Sequence, residues 1–510
     1  MEYNATADLI ERNLAPGRAE RLALIEDGGR PFTYAQLSER INRAGNALAR
    51  LGVQMEQRVL LVLQDTAEFP ALFWGAIKIG AVPVPVNTLL TTSEYDFFLR
   101  DSRARVLVVS RALLDKVEPI LPGQRFLQHT VVCGGGAEGF PSLEAMLEDA
   151  SHYLAAAPTT ADDVAFWLYS SGSTGAPKGT MHLQQSLART AELYARGVLG
   201  IRADDVVFSA AKLFFAYGLG NAMTFPFSVG ATSVLLVERP TPDSVMRVLR
   251  EHQPSIFYGV PTLFASLLAD PQNGPHNGSP RLRVCVSAGE PLPRDIGERW
   301  KARFGVDILD GLGSTEMLHI FLSNRPGDVR YGSTGKPVPG YELAIVDEND
   351  QPVSDGELGE LKVSGPSSAM GYWNNRARSV RTFRGAWTYT GDKYRRDEHG
   401  DYVYCGRGDD MMKVSGMWVS PAEVEAALVA HPSVLEAAVV GREDEHGLVK
   451  PKAFVVTRPA VQPSPSLVDE LQRFVKDRLA PFKYPRWIEF LEALPKTATG
   501  KIQRFKLRGR

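Results

Sequence analysis

The stretch Tyr169-Ser-Ser-Gly-Ser-Thr-Gly-Ala-Pro-Lys-Gly179 decides how the rest of the chain is interpreted. The apolar residues 164–168 before it predict a buried strand, and apolar residues at helical spacing follow it from Leu183 to Tyr194. We therefore expect a loop between a strand and a helix. Its glycines let main-chain N–H groups face an anion, while its hydroxyls and Lys178 add donors and a positive charge. A flexible surface turn has a similar composition, but the strand–loop–helix order and the lysine favour a polyphosphate cradle.

This loop is not a Walker A loop, because Gly172 is followed by Gly175 and then by Pro177-Lys178-Gly179, and the spacing fails. It resembles the phosphate-binding signature of the adenylate-forming superfamily, which includes acyl- and aryl-CoA ligases, adenylation domains and luciferases. The signature Ser-Gly-Ser/Thr-Thr-Gly-x-Pro-Lys-Gly is matched at every fixed position. The resemblance implies that ATP and Mg²⁺ bind, and that Thr174 is also catalytic. The phosphate-binding residues it implies are Ser170, Ser171, Gly172, Ser173, Thr174, Gly175 and Lys178.

The length and composition narrow the class of protein. A chain of 510 residues is too long for one hydrophobic core, so we expect more than one domain. A net charge of −2 gives no reason to expect nucleic acid or anionic lipid as a partner. The acidic, polar first residues do not resemble a secretory signal, and no apolar run approaches the roughly 20 residues that span a bilayer. Cys133, Cys285 and Cys405 lie far apart, without metal-ligand or disulfide spacing. We expect a cytoplasmic protein, monomeric or homodimeric, with no membrane or nucleic-acid partner.

The order of patterns along the chain predicts the architecture. Helices and strands alternate from Phe32 to about Leu268, which predicts layered α/β structure with largely parallel sheets. Near Tyr331 the sequence pattern changes to short strands separated by turns, which predicts a small antiparallel sheet or barrel-like part. A compact α+β unit follows. We place the boundary between a large N-terminal domain, 1–408, and a small mobile C-terminal domain, 409–510.

Hydrophobic periodicity also predicts individual elements. The predicted helices are 34–51, 69–79, 244–252, 262–268, 421–430 and 467–479. The predicted strands are 58–63, 105–109, 255–258, 283–287, 306–309, 341–346, 359–364, 434–440, 452–456 and 487–490.

Two further motifs follow predicted strands. Ser287-Ala-Gly-Glu-Pro291 alone would be a tight turn, but the resemblance assigns Gly289, Glu290 and Pro291 to the adenine ring. In Asp310-Gly-Leu-Gly-Ser-Thr-Glu316 it places Asp310, Gly311 and Thr315 at the nucleotide. Glu316 offers a carboxylate oxygen suited to Mg²⁺ and is expected to be both catalytic and metal-binding. Leu312 stands where the family usually has an aromatic ring, so we assign it no stacking role.

The last motifs concern the ribose and the reacting groups. Asp392 can accept hydrogen bonds from two ribose hydroxyls, and Arg407 can donate to the same sugar. Alone, each would more often be a turn residue or a surface charge, but their order and spacing match the family. Near the C-terminus, the resemblance implies that Lys501 neutralises the charge that develops during attack on the α-phosphate. The alternative for Lys501 is a basic, solvated tail.

The implied chemistry has two half-reactions at one site. A carboxylate and MgATP give an acyl-adenylate and pyrophosphate, and the thiol of coenzyme A, a co-substrate, then displaces AMP. In this family the C-terminal domain rotates between the steps, and the pivot corresponds to Asp409. Gly416 would approach the pantetheine arm of coenzyme A in the second orientation. Asp409 as an ordinary turn residue is the competing interpretation.

The stretch Lys212-Leu-Phe-Phe-Ala-Tyr-Gly218 lies where the family binds its acid. Amino-acid-activating relatives carry an aspartate there, whereas this chain has Ala216 and Tyr217, which favours a neutral aromatic ring. The runs 214–221 and 314–321 resemble benzoate–CoA ligases, so we expect a small aromatic carboxylate as the substrate. A lone histidine is more often structural than substrate-binding. The ring-pocket residues implied by the resemblance are Phe215, Ala216, Tyr217, Tyr258, Ala288, Gly311, Leu318 and His319.

Competing interpretations remain at this point. The chain could load an aryl group onto a carrier protein, which would act in trans because no carrier-like segment follows Arg510. A catalytically silent binding protein is also conceivable, but Lys178, Glu316 and Lys501 are all present.

Overall fold

The computed structural model describes residues 1–172, 175–414, 417–445, 447–459, 461–496 and 502–508, without the side chains of 171, 172, 175 and 176. The strands in chain order are β1 (Leu22–Glu26), β2 (Pro31–Thr33), β3 (Arg58–Val62), β4 (Val82–Pro85), β5 (Val106–Ser110), β6 (His129–Cys133), β7 (Val164–Gly172), β8 (Gly175–Leu183), β9 (Val206–Ser209), β10 (Thr232–Leu235), β11 (Ile256–Gly259), β12 (Val284–Ala288), β13 (Ile308–Gly313), β14 (Ile320–Ser323), β15 (Lys336–Pro337), β16 (Glu342–Val346), β17 (Gly359–Ser364), β18 (Gly371–Tyr372), β19 (Phe383–Arg384), β20 (Trp387–Arg396), β21 (Tyr402–Arg407), β22 (Met412–Val414), β23 (Met417–Val419), β24 (Val434–Glu443), β25 (Val449–Thr457) and β26 (Trp487–Phe490).

The helices in chain order are α1 (Ala5–Leu9), α2 (Tyr34–Arg50), α3 (Glu68–Lys78), α4 (Thr92–Ser102), α5 (Leu114–Val117), α6 (Leu143–Asp149), α7 (Gln184–Thr190), α8 (Ala216–Leu219), α9 (Phe225–Val229), α10 (Pro242–His252), α11 (Pro261–Ala269), α12 (Arg294–Phe304), α13 (Arg376–Thr382), α14 (Pro421–Val429) and α15 (Pro465–Lys476). π-Helical segments, Ala191–Arg196 and Gly220–Thr224, follow α7 and α8. No helix among the described residues is both long and apolar enough to cross a membrane.

Two sheets with parallel cores organise the large N-terminal part. Within the described residues, one has nine strands in the order β15-β14-β13-β12-β11-β9-β10-β1-β2, and the other has four in the order β4-β3-β5-β6. The pairs from β13 to β1 are parallel, and antiparallel pairs occur only at the two ends. Strands β5 and β12 are buried along their whole length, as expected for sheets covered on both faces. The predicted layered α/β architecture is confirmed.

Helix α2 shows how the sequence specifies these layers. Thr33 and Gln36 form a reciprocal capping box that satisfies main-chain donors at its start. The buried face of the helix packs against α3, and Gly75 makes the close approach possible. A Cβ atom at Gly75 would lie 2.8 Å from the main-chain nitrogen of Gly45, so an alanine there would push the helices apart.

The later parts of the chain are antiparallel or mixed. Strands β16, β17, β20, β19 and β21 form the predicted small antiparallel sheet, which counts five strands in the described part of the chain. After it, β24 pairs antiparallel with β25, and β25 pairs parallel with β26, with α14 and α15 alongside. The predicted boundary after Gly408 falls in the turn between β21 and β22 and stays a prediction.

The expected strand–loop–helix arrangement around Tyr169–Gly179 is wrong. Strands β7 and β8 form an antiparallel hairpin in which Tyr169 pairs with Gly179 and Ser170 with Lys178, and α7 begins only at Gln184. The glycines and hydroxyls suggested a turn, whereas residues 169–172 and 175–179 belong to the paired strands. The apolar residues Leu187, Ala191 and Tyr194 do lie buried in the following helical segments. The predicted phosphate-binding residues that the structure describes therefore belong to a hairpin, and the next helix, α7, begins only after β8 has ended.

Candidate active site

The base of this hairpin is anchored by aromatic residues. The Tyr169 hydroxyl donates to Asp101 at 2.7 Å, and the Phe98 and Tyr169 ring centres are 4.4 Å apart. On the other side, the main-chain N–H of Trp373 donates to the Gly179 carbonyl at 2.8 Å, and its ring packs on Trp167. The hairpin is thus packed between α4 and the segment after β18.

Lys178 and Glu316, which belong to separate motifs, meet beside this hairpin. Lys178 is 8% exposed, and its Nζ lies 3.5 Å from Oε1 of Glu316. The Tyr372 hydroxyl donates to the same carboxylate oxygen at 2.7 Å, and the lysine ammonium sits 4.6 Å from the centre of the Tyr372 ring. The hydroxyl of Ser170 also reaches this oxygen, at 3.4 Å. One partly buried carboxylate therefore gathers a cation and two hydroxyls.

The charge state of this cluster follows from its surroundings. Burial alone would raise the pKa of Glu316, but the Lys178 ammonium and the Tyr372 hydroxyl outweigh it and hold that pKa below its ordinary value. Burial lowers the pKa of Lys178, and Glu316 partly offsets that effect. Glu316 is therefore an ionised oxygen donor at neutral pH, as a Mg²⁺ ligand must be.

The main chain of Thr315 is hydrogen-bonded to His182. Nε2 of His182 lies 2.8 Å from the carbonyl oxygen of Thr315, and a carbonyl can only accept, so Nε2 carries the hydrogen. Burial lowers the pKa of His182 to about 4, which keeps the ring neutral. His182 is on β8 of the hairpin, so this bond ties the hairpin to the segment that carries Thr315 and Glu316.

The predicted adenine segments lie side by side at the carboxyl ends of parallel strands. In the pairing of β12 with β13, Ser287 is opposite Asp310 and Ala288 is opposite Gly311. Gly289 follows with φ = 95°, in the left-handed region that favours glycine. Burial raises the pKa of Asp310 to about 7, although hydrogen bonds from Leu292, Thr334 and Gly311 lower it.

The ribose motifs are brought together as the sequence predicts. Asp392 and Arg407 are opposite each other on β20 and β21, and Nη1 of Arg407 lies 3.1 Å from Oδ1 of Asp392. This ion pair raises the pKa of Arg407 above its ordinary value. Arg407 thus keeps its positive charge directly beside the Asp392 carboxyl group.

The predicted ring residues come from neighbouring strands and from α8. The rings of Tyr217 and Tyr258 meet edge to face at 6.2 Å, and the Tyr217 hydroxyl donates to the carbonyls of Gly259 and Val286. The Phe215 ring packs against Phe214 at a tilt of 56°, with centres 4.4 Å apart. The ends of β11, β12 and β13 contribute Tyr258, Ala288 and Gly311. The side chains of these residues are aromatic or small, and none of them carries a charge.

Leu318 and His319 are buried more tightly than a simple pocket wall requires. Leu318 is 2% exposed and has φ = 65°, an uncommon conformation for a residue with a side chain. His319 donates from Nε2 to the Tyr217 carbonyl at 3.3 Å, with Oδ1 of Asn221 at 3.1 Å. Burial lowers its pKa to about 3, so His319 is neutral and partly structural.

Several predicted residues lie outside the described residues: Ser173, Thr174, Gly416 and Lys501. The same holds for the side chains of Ser171, Gly172 and Gly175. Asp409 is exposed in the turn after β21, and its carbonyl accepts from Arg508 at 2.8 Å. These assignments stay predictions.

A cavity of about 680 Å³ opens between the adenine segments and the C-terminal unit. Glu290, Pro291 and Asp310 line one side, and Trp418, Ile502 and Arg504 line the other. None of the eight predicted ring residues contributes to it. The residues predicted to bind adenine therefore face the C-terminal unit across this cavity, whereas the predicted ring residues do not line it.

Sequence reasoning missed Tyr372, His182 and Ile320. Tyr372 lies on a two-residue strand far along the chain from Glu316, and no local pattern marks it. The side chain of Ile320 covers Gly311: a Cβ at Gly311 would lie 2.7 Å from its terminal methyl. The space beside Gly311 is therefore bounded by Ile320. His182 lies on β8 among buried residues, and this pattern could have indicated that its side chain faces the interior.

The fold and this arrangement of charged and hydroxyl groups define a class of protein. The family of AMP-binding enzymes matches residues 11–373, and the AMP-binding enzyme C-terminal domain matches residues 423–501. The chain belongs to this family of adenylate-forming enzymes.

Particular relatives are similar over nearly the whole chain. A benzoate–CoA ligase of Thauera aromatica is 60% identical over 508 residues, 99% of this chain and 96% of that protein. The crystal structure of a benzoate CoA ligase from Burkholderia xenovorans has a TM-score of 0.93 at 53% identity, covering 99% of this chain and 100% of that one. An anthranilate CoA ligase in complex with anthranoyl-AMP has a TM-score of 0.96 at 44% identity, covering 100% and 97%.

Proposed function

We propose that the chain is an ATP-dependent, AMP-forming acid–thiol ligase that converts benzoate, or a benzoate with one small substituent, into its CoA thioester. The observation that carries the proposal is an uncharged aromatic wall formed by Tyr217 on α8 and Tyr258 on β11. His319, three residues after Glu316, donates to the Tyr217 carbonyl and so ties this wall to the segment that carries Glu316. The identity of 60% to a benzoate–CoA ligase supports the same substrate class.

In the first half-reaction, an oxygen of the aromatic carboxylate attacks the α-phosphorus of ATP, and the bond to pyrophosphate breaks. Lys178 offers the phosphates a positive charge at the hairpin. Asp392 and Arg407 orient the ribose through its hydroxyls. We assign to Lys501 the neutralisation of charge between the carboxylate and the α-phosphate.

Glu316 fits a Mg²⁺ ligand, because it is an ionised carboxylate beside the phosphate-binding hairpin. Thr315 would place its hydroxyl next to the phosphates. When bound, Mg²⁺ would neutralise charge on the phosphate oxygens.

In the second half-reaction, the sulfur of coenzyme A attacks the carbonyl carbon of the aryl-adenylate. A C–S bond forms, the C–O bond to AMP breaks, and the thiol proton leaves to solvent. We assign the pivot between the two steps to Asp409 and the close approach to pantetheine to Gly416. A carrier-protein thiol as the acceptor is less favoured, since the relatives above are CoA ligases along almost their full length.

The uncharged character of the pocket depends on where Lys212 points. Its ammonium donates to the carbonyls of Val237 at 3.1 Å and Glu238 at 2.7 Å. The Lys212 ammonium therefore binds these carbonyls and does not pair with a group beside Ala216 and Tyr217. A charged substituent on the ring would be buried without a partner, and burying an unpaired charge is costly.

Pyrophosphate release across a panel of acids, with and without coenzyme A, tests the proposal. The panel contains benzoate, 2-aminobenzoate, 4-hydroxybenzoate, phenylalanine, butyrate and octanoate. We expect benzoate and its small derivatives to give the highest kcat/KM, with thioester formed only when coenzyme A is present. A higher kcat/KM with octanoate would contradict the aryl pocket. Faster transfer to a holo-carrier protein than to coenzyme A would contradict the acceptor.

A further inference from the structure

A partly buried lysine, Lys212, stands directly before the ring-pocket segment. Besides the carbonyls of Val237 and Glu238, the Lys212 ammonium donates to the carbonyl of Leu236. All three carbonyls follow β10. The remaining neighbour is Asp65, whose Oδ2 lies 3.9 Å from Nζ. Lys212 is thus bound to the strand end behind the pocket.

Asp65 reaches the same place from the other sheet. It follows β3, is 5% exposed, and its two carboxylate oxygens lie 3.4 and 3.3 Å from the main-chain nitrogen of Leu213. Burial raises the pKa of Asp65 to about 6, which the Lys212 ammonium and the Leu213 N–H partly offset. A carboxylate buried with one cation and one N–H group costs stability, so its position suggests a role in placing the chain.

The backbone at Lys212 determines where α8 can lie. A Cβ atom at Gly218 would lie 2.1 Å from the carbonyl oxygen of Lys212 and 2.4 Å from that of Ala211. Helix α8 therefore folds back onto these two carbonyls. A shift of Lys212 would move the helix, and with it Ala216 and Tyr217.

We infer that Asp65 and Lys212 form a positioning pair that sets the shape of the aryl pocket from behind, through the Leu213 main chain and α8. Neither side chain touches the substrate. The inference rests on the proposed function, because it uses Phe215, Ala216 and Tyr217 as ring-contacting residues. It predicts that damage to the pair affects the aromatic acid and leaves the nucleotide site unchanged.

The test compares Asp65→Asn and Lys212→Met with the wild type. We expect the KM for benzoate to rise about tenfold, as loss of a charged hydrogen-bonding partner allows. The KM for ATP and the kcat at saturating benzoate should stay within about twofold. The preference for benzoate over 4-methylbenzoate should weaken, and the double variant should resemble either single one because the two residues act together.

Lys78→Met is the matched control. Lys78 is a buried lysine, 1% exposed, and its ammonium donates to Glu11 and Asn42, neither of which belongs to the pocket segment. It should lower stability without changing either KM or the preference between acids.

Three results would overturn the inference. These are an unchanged benzoate KM in folded variants, an equal rise in the KM for ATP, or unfolding of both variants while Lys78→Met folds. The last result would assign the pair to fold stability alone. If only one variant folds, its KM values for benzoate and for ATP test the inference in the same way. Failure of the proposed function looks different, since the wild type itself would then release no benzoate-dependent pyrophosphate.

Discussion

The main-chain N–H of Ile502 donates to Oε1 of Glu290 at 2.7 Å, although the two residues are 212 positions apart. Glu290 belongs to the adenine segment after β12, and Ile502 directly follows Lys501. The bond therefore brings the segment next to Lys501 against the nucleotide side of the site.

Replacing Glu290 by alanine removes this acceptor. We expect adenylate formation at saturating ATP to slow by about tenfold, since a hydrogen bond to a charged group is lost. Conversion of supplied benzoyl-adenylate and coenzyme A to the thioester should be retained. Glu290→Gln keeps an acceptor oxygen and should fall between alanine and the wild type. Equal losses in both half-reactions would contradict this role.

Lys178→Ala removes the cation beside Glu316. We expect the KM for ATP to rise by about tenfold or more, because a buried charge opposite the phosphates is lost. The pKa of Glu316, which Lys178 holds down, should rise toward its ordinary range or above. ATP-dependent activity should then be lost at a higher pH on acidification than in the wild type. Lys178→Arg keeps the charge and should keep the acid limb of the pH profile near that of the wild type.

Lys501→Ala tests the division of labour between the half-reactions. The variant should fold and lose adenylate formation, yet still convert supplied acyl-adenylate and coenzyme A to thioester. Lys506→Ala, at an exposed position of the same tail, is the control and should leave both steps unchanged. Bulky replacements of Gly416 should show the reverse pattern. Loss of both steps in Lys501→Ala would rule out the assignment.

Ala216→Leu tests the ring pocket. Ala216 begins α8 and packs beside the buried cluster that contains Phe214 and Leu318. A larger side chain should intrude on the ring and lower kcat/KM for benzoate by about 10- to 100-fold. Butyrate should suffer less, because it does not fill the ring space. Ala269→Leu, at an exposed position at the end of α11, should change neither. Equal losses for both acids would count against the pocket.

Asp310→Asn gives a pH-dependent stability difference. Burial raises the pKa of Asp310 from 3.8 to about 7, so its stability contribution is full below pH 3.8 and is lost as the pH rises through 7. The asparagine variant cannot ionise. Its free energy of unfolding relative to the wild type should therefore increase by about 2 kcal/mol between pH 5 and pH 8. Urea unfolding at the two pH values measures this, and a difference independent of pH would contradict it.

The sequence predicted well those elements whose signals are local. The helix expected at 34–51 is α2, Tyr34–Arg50, and the strand expected at 487–490 is β26, because each shows its own hydrophobic period. Motif order predicted that Asp392 and Arg407 bind the same ribose, which stays a prediction, and adjacent strands place the two residues opposite each other. The expected strand–loop–helix arrangement around 169–179 was wrong because glycine and serine occur both in loops that precede helices and in hairpins that join two strands.

The sequence by itself determined the alternating layers, the motif residues and the uncharged character of the segment 213–219. Only the tertiary structure decided that Tyr372 and Lys178 converge on Glu316, that Ile320 bounds the space beside Gly311, and that Asp65 reaches Leu213 from another sheet. The physical reason is that periodicity reports which face of an element is buried. Contacts between residues far apart in sequence depend on how strands are ordered and paired, and no local pattern carries that information.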